Sequence, residues 1–98
     1  MKRITEKSEI ERLNEIYKDL PPNQYEVAQG LIIQAARLRV RLDALWRNIK
    51  KHGEVEMFSQ SEKTDPYERE RPQARLFTST DKNYQAIIKQ LNEMTPPS

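Results

Sequence analysis

Apolar residues recur every three to four positions over most of this chain, which is the spacing of one face of an α-helix. The first such stripe precedes a pair of prolines and consists of Ile10, Leu13, Ile16 or Tyr17, and Leu20. Ser8 and Glu11 have the spacing of a capping box, which favours a helix start at Ser8. Pro21 disfavours helix at the residue before it. The pattern predicts a first helix over about residues 8–20.

The second run of apolar residues extends over 22–52 and contains no proline after its first position. Pro22 suits the first position of a helix, and Gly53 suits a C-terminal cap that follows a basic last turn. About 31 residues at 1.5 Å each give a rod of ~46 Å. The sequence therefore predicts one long central helix over 22–52.

This long helix carries apolar residues on two sides. One side has the alternating three and four spacing of a coiled-coil seam, which includes Leu31, Leu38, Leu42, Leu45 and Ile49. A second set, on another side, is formed by Ile33, Ala36, Val40 and Ala44. The short helices expected on either side of this rod are too short to cover it. We therefore predict homo-oligomers in which the seam residues pack against another copy, although the third helix could also cover one side.

Helical periodicity is lost over residues 53–79, where apolar residues stand singly among polar ones. We predict an extended strap here, with short extended pieces at 54–58 and 74–78, because Pro66 and Pro72 prevent a continuous helix. A third helix is predicted over about 80–94. The expected fold is a single all-α domain of three helices, in which two helices and the strap pack on the long one or the strap contacts a partner.

Charge is distributed unevenly along the chain, although the net charge is only +2. Residues 53–72 carry six acidic and three basic groups. The long helix carries six basic groups against two acidic ones, and the basic residues are Arg37, Arg39, Arg41, Arg47, Lys50 and Lys51. These side chains are candidates for binding nucleic acid or an acidic protein. Two alternatives remain open. The basic residues could form salt bridges on a face of the helix, or the acidic segment 53–72 could fold back and neutralise them.

Composition narrows the possible chemistry. The chain has no cysteine, one histidine and two glycines, so it offers no thiol nucleophile and no glycine-rich phosphate loop. We expect no catalytic residues, no metal site and no cofactor. We therefore expect that the protein is not an enzyme. No apolar run approaches the ~20 residues of a membrane span, and the N-terminus lacks an apolar signal core. A cytoplasmic protein without membrane contact is expected.

Residues 25–98 resemble the C-terminal portion of the small terminase subunits of tailed bacteriophages. The likeness is in a long helix that ends in Lys-Lys-His-Gly, a polar strap that ends at Arg71-Pro72, and a last helix that runs into Met94-Thr95-Pro96-Pro97-Ser98. In that family the strap commonly has Asn-Pro where this chain has Arg71-Pro72. The resemblance implies a non-enzymatic DNA-packaging factor that forms rings, engages double-stranded DNA and regulates a large terminase subunit in the bacterial host cytoplasm. The alternative is a helical protein–protein interaction module, an adaptor or regulator, that binds no nucleic acid.

Overall fold

The computed structural model describes residues 3–59, 62 and 65–94. The closing Thr95–Ser98 element of the resemblance lies outside these residues. The described chain folds mainly into α-helix, as predicted, and adds a small two-stranded sheet that the all-α prediction lacked. In chain order the elements are α1 (Glu6–Ile16), α2 (Pro22–His52), β1 (Val55–Phe58), β2 (Tyr67–Glu70) and α3 (Pro72–Met94).

Helix α1 begins and ends earlier than predicted. The Thr5 hydroxyl accepts a 3.0 Å hydrogen bond from the Ser8 backbone N–H, and the Ser8 hydroxyl accepts one of 3.0 Å from the Thr5 N–H. This reciprocal pair is a capping box one turn before the predicted one at Ser8 and Glu11. The helix ends at Ile16, yet Leu20 remains buried in the turn that follows.

Helix α2 confirms the predicted bounds of 22–52. Pro22 stands at the N-terminal end, where its missing N–H leaves no hydrogen bond unmade. At the other end, the Gly53 N–H donates to the Ile49 carbonyl at 2.7 Å, and the φ of Gly53 is +84°. That backbone conformation is open to glycine and strained for other residues. Glycine therefore sets the point at which the long helix stops.

The predicted strap contains a β-hairpin. Strands β1 and β2 pair antiparallel, with Val55 opposite Glu70 and Phe58 opposite Tyr67. The extended piece predicted at 54–58 therefore exists, but the one predicted at 74–78 does not. The two strands contact each other far more than either contacts a helix. The hairpin is thus a separate feature beside the helices.

Helix α3 begins at Pro72, so the prediction of strap up to 79 and helix from 80 was wrong. Proline is tolerated at the first helical position, and Pro72 starts this helix instead of breaking it. Ala74 and Thr80 occupy buried positions in its first turns. Because one is small and the other polar, the helical period was hidden in the sequence. The helix has 23 residues, or ~35 Å, and covers much more of α2 than a 15-residue helix would.

The main core lies where all three helices meet, at the N-terminal half of α2. Leu91 from the end of α3 packs into it, so α3 runs antiparallel to α2. Tyr17 also reaches α3, and its hydroxyl donates a 2.7 Å hydrogen bond to the Asn92 side-chain oxygen. The buried apolar members of this core are Leu13, Tyr17, Leu20, Ala28, Ile32, Ala35 and Leu91.

The seam that was predicted for oligomerisation is largely occupied within the chain. Leu42 and Ile49 are buried, and Leu31 packs against the core. Leu38 and Leu45 are half-buried. These side chains lie on the side of α2 that α3 covers. Helix α3 reaches them because it is longer than the sequence indicated. Helix α3 therefore supplies packing on the seam, and a role of the seam in oligomerisation stays a prediction.

The molecule is elongated, with dimensions of 63 × 28 × 21 Å. Its radius of gyration is 18.4 Å, against roughly 13 Å for a compact domain of about 100 residues. The shape follows from α2, because α1 covers only its N-terminal half. The C-terminal half of α2 has α3 as its helical neighbour, and the remaining sides are open to solvent.

Candidate nucleic-acid interface

The coverage of α2 by α1 ends where its basic half begins. The Arg37 guanidinium reaches Glu6 at the first turn of α1, with Nε 3.0 Å from Oε1. Both side chains are more than half exposed, so this ion pair contributes little to stability. Arg37 therefore marks the boundary between a covered and an open stretch of α2.

A second ion pair lies within the open half of α2. The Arg47 Nη1 is 3.3 Å from the Asp43 Oδ2, at the i,i+4 spacing of helix neighbours. This pair compensates the negative charge of Asp43. Of the alternatives left open by the sequence, a salt-bridged face accounts for Arg37 and Arg47 only.

The other four basic residues predicted as a binding site are exposed. They make no ion pair or hydrogen bond within residues 3–59, 62 and 65–94, and they are Arg39, Arg41, Lys50 and Lys51. The acidic strands do not neutralise them, since Glu56 pairs with Arg69 and Glu70 with Arg75. Folding back of the acidic segment is therefore not observed in the part of the chain that the structure describes.

The six basic side chains do not share one side of the helix. At 3.6 residues per turn, Arg37, Arg41 and Lys51 fall within a quarter of the circumference, together with the exposed Ala44. We call Arg37, Arg41 and Lys51 the basic stripe. Arg47 stands at its edge. The stripe covers ~21 Å along the helix axis and lies about 110° around the helix from the seam.

Arg39 and Lys50 project from nearly the opposite side of α2. On that side Arg39 lines a groove between α2 and α3. The groove has a volume of about 290 Å³, and it is lined by Arg39, Leu42, Asp43, Trp46, Phe77 and Asp81. Two aromatic side chains line it, and the rings of Trp46 and Phe77 lie 5.8 Å apart at an angle of 42°. Trp46 is 46% exposed. We call this feature the aromatic groove.

Sequence reasoning did not identify the aromatic groove. In the sequence pattern Trp46 flanks the predicted seam, and Phe77 falls within the strap predicted over 53–79. A signal was present, since Arg39, Trp46 and Lys50 are spaced seven and four apart and therefore align on one side of a helix. The partner Phe77 could be found only once α3 was known to begin at Pro72.

No metal site or membrane span emerges from the described part of the chain. Within it, no three histidine, cysteine, aspartate or glutamate side chains come together as metal ligands would. None of the described helices combines the length and the apolar character needed to cross a bilayer. Lys50, Lys51 and His52 stand in the last turn of α2, where cations interact favourably with the helix dipole.

Comparison of the chain with protein-family models, curated proteins and solved structures finds no match.

Proposed function

We propose that this protein is a homo-oligomeric DNA-packaging factor of the small terminase type, which binds double-stranded DNA, a large terminase subunit, or both. It acts by assembly and contact, without a catalytic site, a metal or a cofactor. The observation that carries the proposal is the basic stripe, in which Arg41 and Lys51 are exposed and free of acidic partners among the described residues. The class of assembly comes from the resemblance over 25–98.

The dimensions of the basic stripe suit the backbone of duplex DNA. A duplex carries one negative charge per ~1.7 Å, so ~21 Å of it presents about twelve phosphates. Lysine and arginine at positions along one side of a rigid helix can contact several of them at once. Arg37 can join in, because its surface pair with Glu6 costs little to break. This mode of contact reads backbone charge and gives affinity without sequence specificity.

The opposite side of α2 is less suited to phosphate. A row of DNA phosphates laid along the aromatic groove would meet Asp43 and Asp81 as well as Arg39, and carboxylates repel phosphate oxygens. The groove favours a second candidate function, a protein-interaction module that binds no nucleic acid. An exposed tryptophan in a concave apolar site is typical of protein interfaces. Both candidates predict assembly, and they differ in DNA binding.

Titration of labelled duplex DNA, followed by fluorescence anisotropy over a range of salt concentrations, separates the two. A phosphate-binding stripe predicts affinity that falls steeply with salt. Replacing Arg41 and Lys51 together by glutamine removes two contacts and should lower the slope of log K against log salt by about two.

A matched control removes the same charge elsewhere. Lys82 and Lys89 are exposed on α3, and replacing both by glutamine should leave the slope unchanged. Equal losses in the two double variants would indicate attraction by overall charge instead of a defined stripe. Absence of binding by the wild-type chain at low salt would favour the interaction module.

A further inference from the structure

One face of the β-hairpin is built to hold the hairpin together. The Arg69 Nε lies 2.8 Å from the Glu56 Oε1, and the Arg69 guanidinium lies 3.6 Å from the centre of the Phe58 ring. Phe58 in turn meets Tyr67 edge to face, with ring centres 5.8 Å apart. The side chains of this face thus make their charge and ring contacts with one another across the two strands. The remaining face is free for a different role.

That second face presents apolar and acidic side chains side by side. The register places Val55 opposite Glu70 and Met57 opposite Glu68, all on the same face. Val55 is 53% exposed and Met57 is 64% exposed, the highest value among the exposed large apolar residues. Glu70 pairs with Arg75, whereas Glu68 is exposed. Met57 and Glu68 therefore form a thioether and carboxylate pair directed at solvent.

The aromatic groove offers the complement to this pair. Its Trp46 and Phe77 rings suit a methionine, because thioether sulfur makes favourable contacts with aromatic rings. Arg39 at the groove makes no ion pair among the described residues and can accept a carboxylate. Of the two carboxylates that line the groove, Asp43 is paired with Arg47, and Asp81 accepts a 2.7 Å hydrogen bond from the Gln85 side-chain amide. A methionine side chain can therefore contact the two rings while a single carboxylate lies beside Arg39.

The hairpin of the same chain does not occupy the groove. It is held at its base by Arg71, which donates hydrogen bonds to the Gly53 carbonyl and to the Asn48 side chain. In this position Met57 and Trp46 both remain exposed. The two complementary surfaces of one chain therefore meet only between copies.

We propose that the Met57–Glu68 pair of one copy docks in the aromatic groove of a second copy, with Met57 against Trp46 and Phe77 and with Glu68 beside Arg39. This inference rests on the homo-oligomeric part of the proposed function and identifies the surfaces that form the contact. The two surfaces differ, so the contact is head-to-tail and repeats from copy to copy until a ring closes or a filament grows. The basic stripe, on the other side of α2, stays open to DNA.

Charge exchange between single variants tests this pairing, with sedimentation velocity in the absence of DNA as the measurement. Arg39→Glu and Glu68→Lys should each abolish assembly, because each variant places like charges together in its own contacts. An equimolar mixture of the two variants should assemble, since every contact between unlike variants then joins opposite charges. Met57→Ser removes the apolar side chain from the contact and should weaken self-association about 10- to 100-fold.

Two matched controls leave the contact intact. Arg41→Glu makes the same change on the opposite side of the same helix and should still assemble. Val27→Ser removes an apolar side chain of similar exposure, 63%, far from the hairpin, and should also assemble. Circular dichroism of every variant confirms that it is folded.

Three outcomes would overturn the pairing. They are a wild-type chain that stays monomeric at high micromolar concentration, single variants that assemble normally, and a mixture that fails to reassemble. Failure of DNA binding would leave this result untouched, since no DNA is present. Conversely, Arg41→Glu should lose DNA affinity while it retains assembly.

Discussion

The Arg71 guanidinium donates a 2.7 Å hydrogen bond to the backbone carbonyl of Gly53, which joins the residue before α3 to the residue after α2. A second bond of 2.8 Å runs from Arg71 Nη2 to the Asn48 side chain, and the Arg71 backbone N–H donates to the Glu54 carbonyl at 2.8 Å. Arg71 thus joins the two strands at the base of the hairpin and attaches that base to the C-terminal end of α2.

Replacing Arg71 by alanine should destabilise the chain by about 1–2 kcal/mol, because bonds from a charged donor contribute about 1.5–3 kcal/mol and this one is partly exposed. Urea unfolding followed by circular dichroism measures the change. Arg75→Ala is the control, since the Arg75 side chain is 79% exposed in its pair with Glu70. Equal losses in both variants would mean that Arg71 does not anchor the hairpin.

Replacing the two glycines by alanine, one at a time, should change the stability of the chain in opposite directions. A Cβ at Gly30 would meet nothing within 4 Å, so Gly30→Ala should stabilise α2 by about 0.5–1 kcal/mol. Gly53 has a φ of +84°, where alanine is strained, and Gly53→Ala should cost about 1–3 kcal/mol. Thermal unfolding of the two variants gives both signs. A destabilising Gly30→Ala would show that another chain packs closely at that position.

Substitution of Leu42 tests whether the seam is buried by residues of the same chain or by another copy. Leu42 is 3% exposed, and Leu42→Ala should lower the free energy of unfolding by about 2–5 kcal/mol. The loss should not depend on protein concentration, because the residues that bury Leu42 belong to the same chain. Leu76, at 43% exposure, provides a control that should lose much less. A loss that disappears at high protein concentration would place the seam between copies.

Tyr17 predicts a specific pH dependence. Burial raises the pKa of its hydroxyl above the ordinary value of 10.0, so the folded chain favours the protonated form. The resulting stability is fully present below pH 10 and is lost as the pH rises through the higher pKa of the folded state. The advantage of the wild-type chain over Tyr17→Phe should therefore shrink in alkaline solution. Urea unfolding at neutral pH and above pH 10 measures it, and a constant difference would contradict the effect of burial.

The long helix could be predicted from sequence because its signals are local. Apolar spacing, a proline at the start and Gly53 at the end all act within a few residues of where they stand. The start of α3 could not be predicted in this way. Ala74 and Thr80 give no apolar signal, and their burial depends on packing against α2.

In the hairpin and the candidate site, too, local features could be predicted from the sequence and tertiary contacts could not. Strand β2 reads Tyr-Glu-Arg-Glu, and only its pairing with β1 makes it a strand. The basic residues were identified from the sequence, and their separation onto two sides of α2 follows from helix geometry. The aromatic groove needed Phe77 to be placed on α3, which is a tertiary fact.

Sedimentation velocity of the wild-type chain, mixed with fluorescently labelled duplex DNA at low salt, measures assembly and DNA binding together. We expect protein species larger than a monomer, with the DNA label sedimenting together with them and released as salt is raised. A monomer that leaves the DNA label at the sedimentation rate of free duplex would contradict a role in DNA packaging.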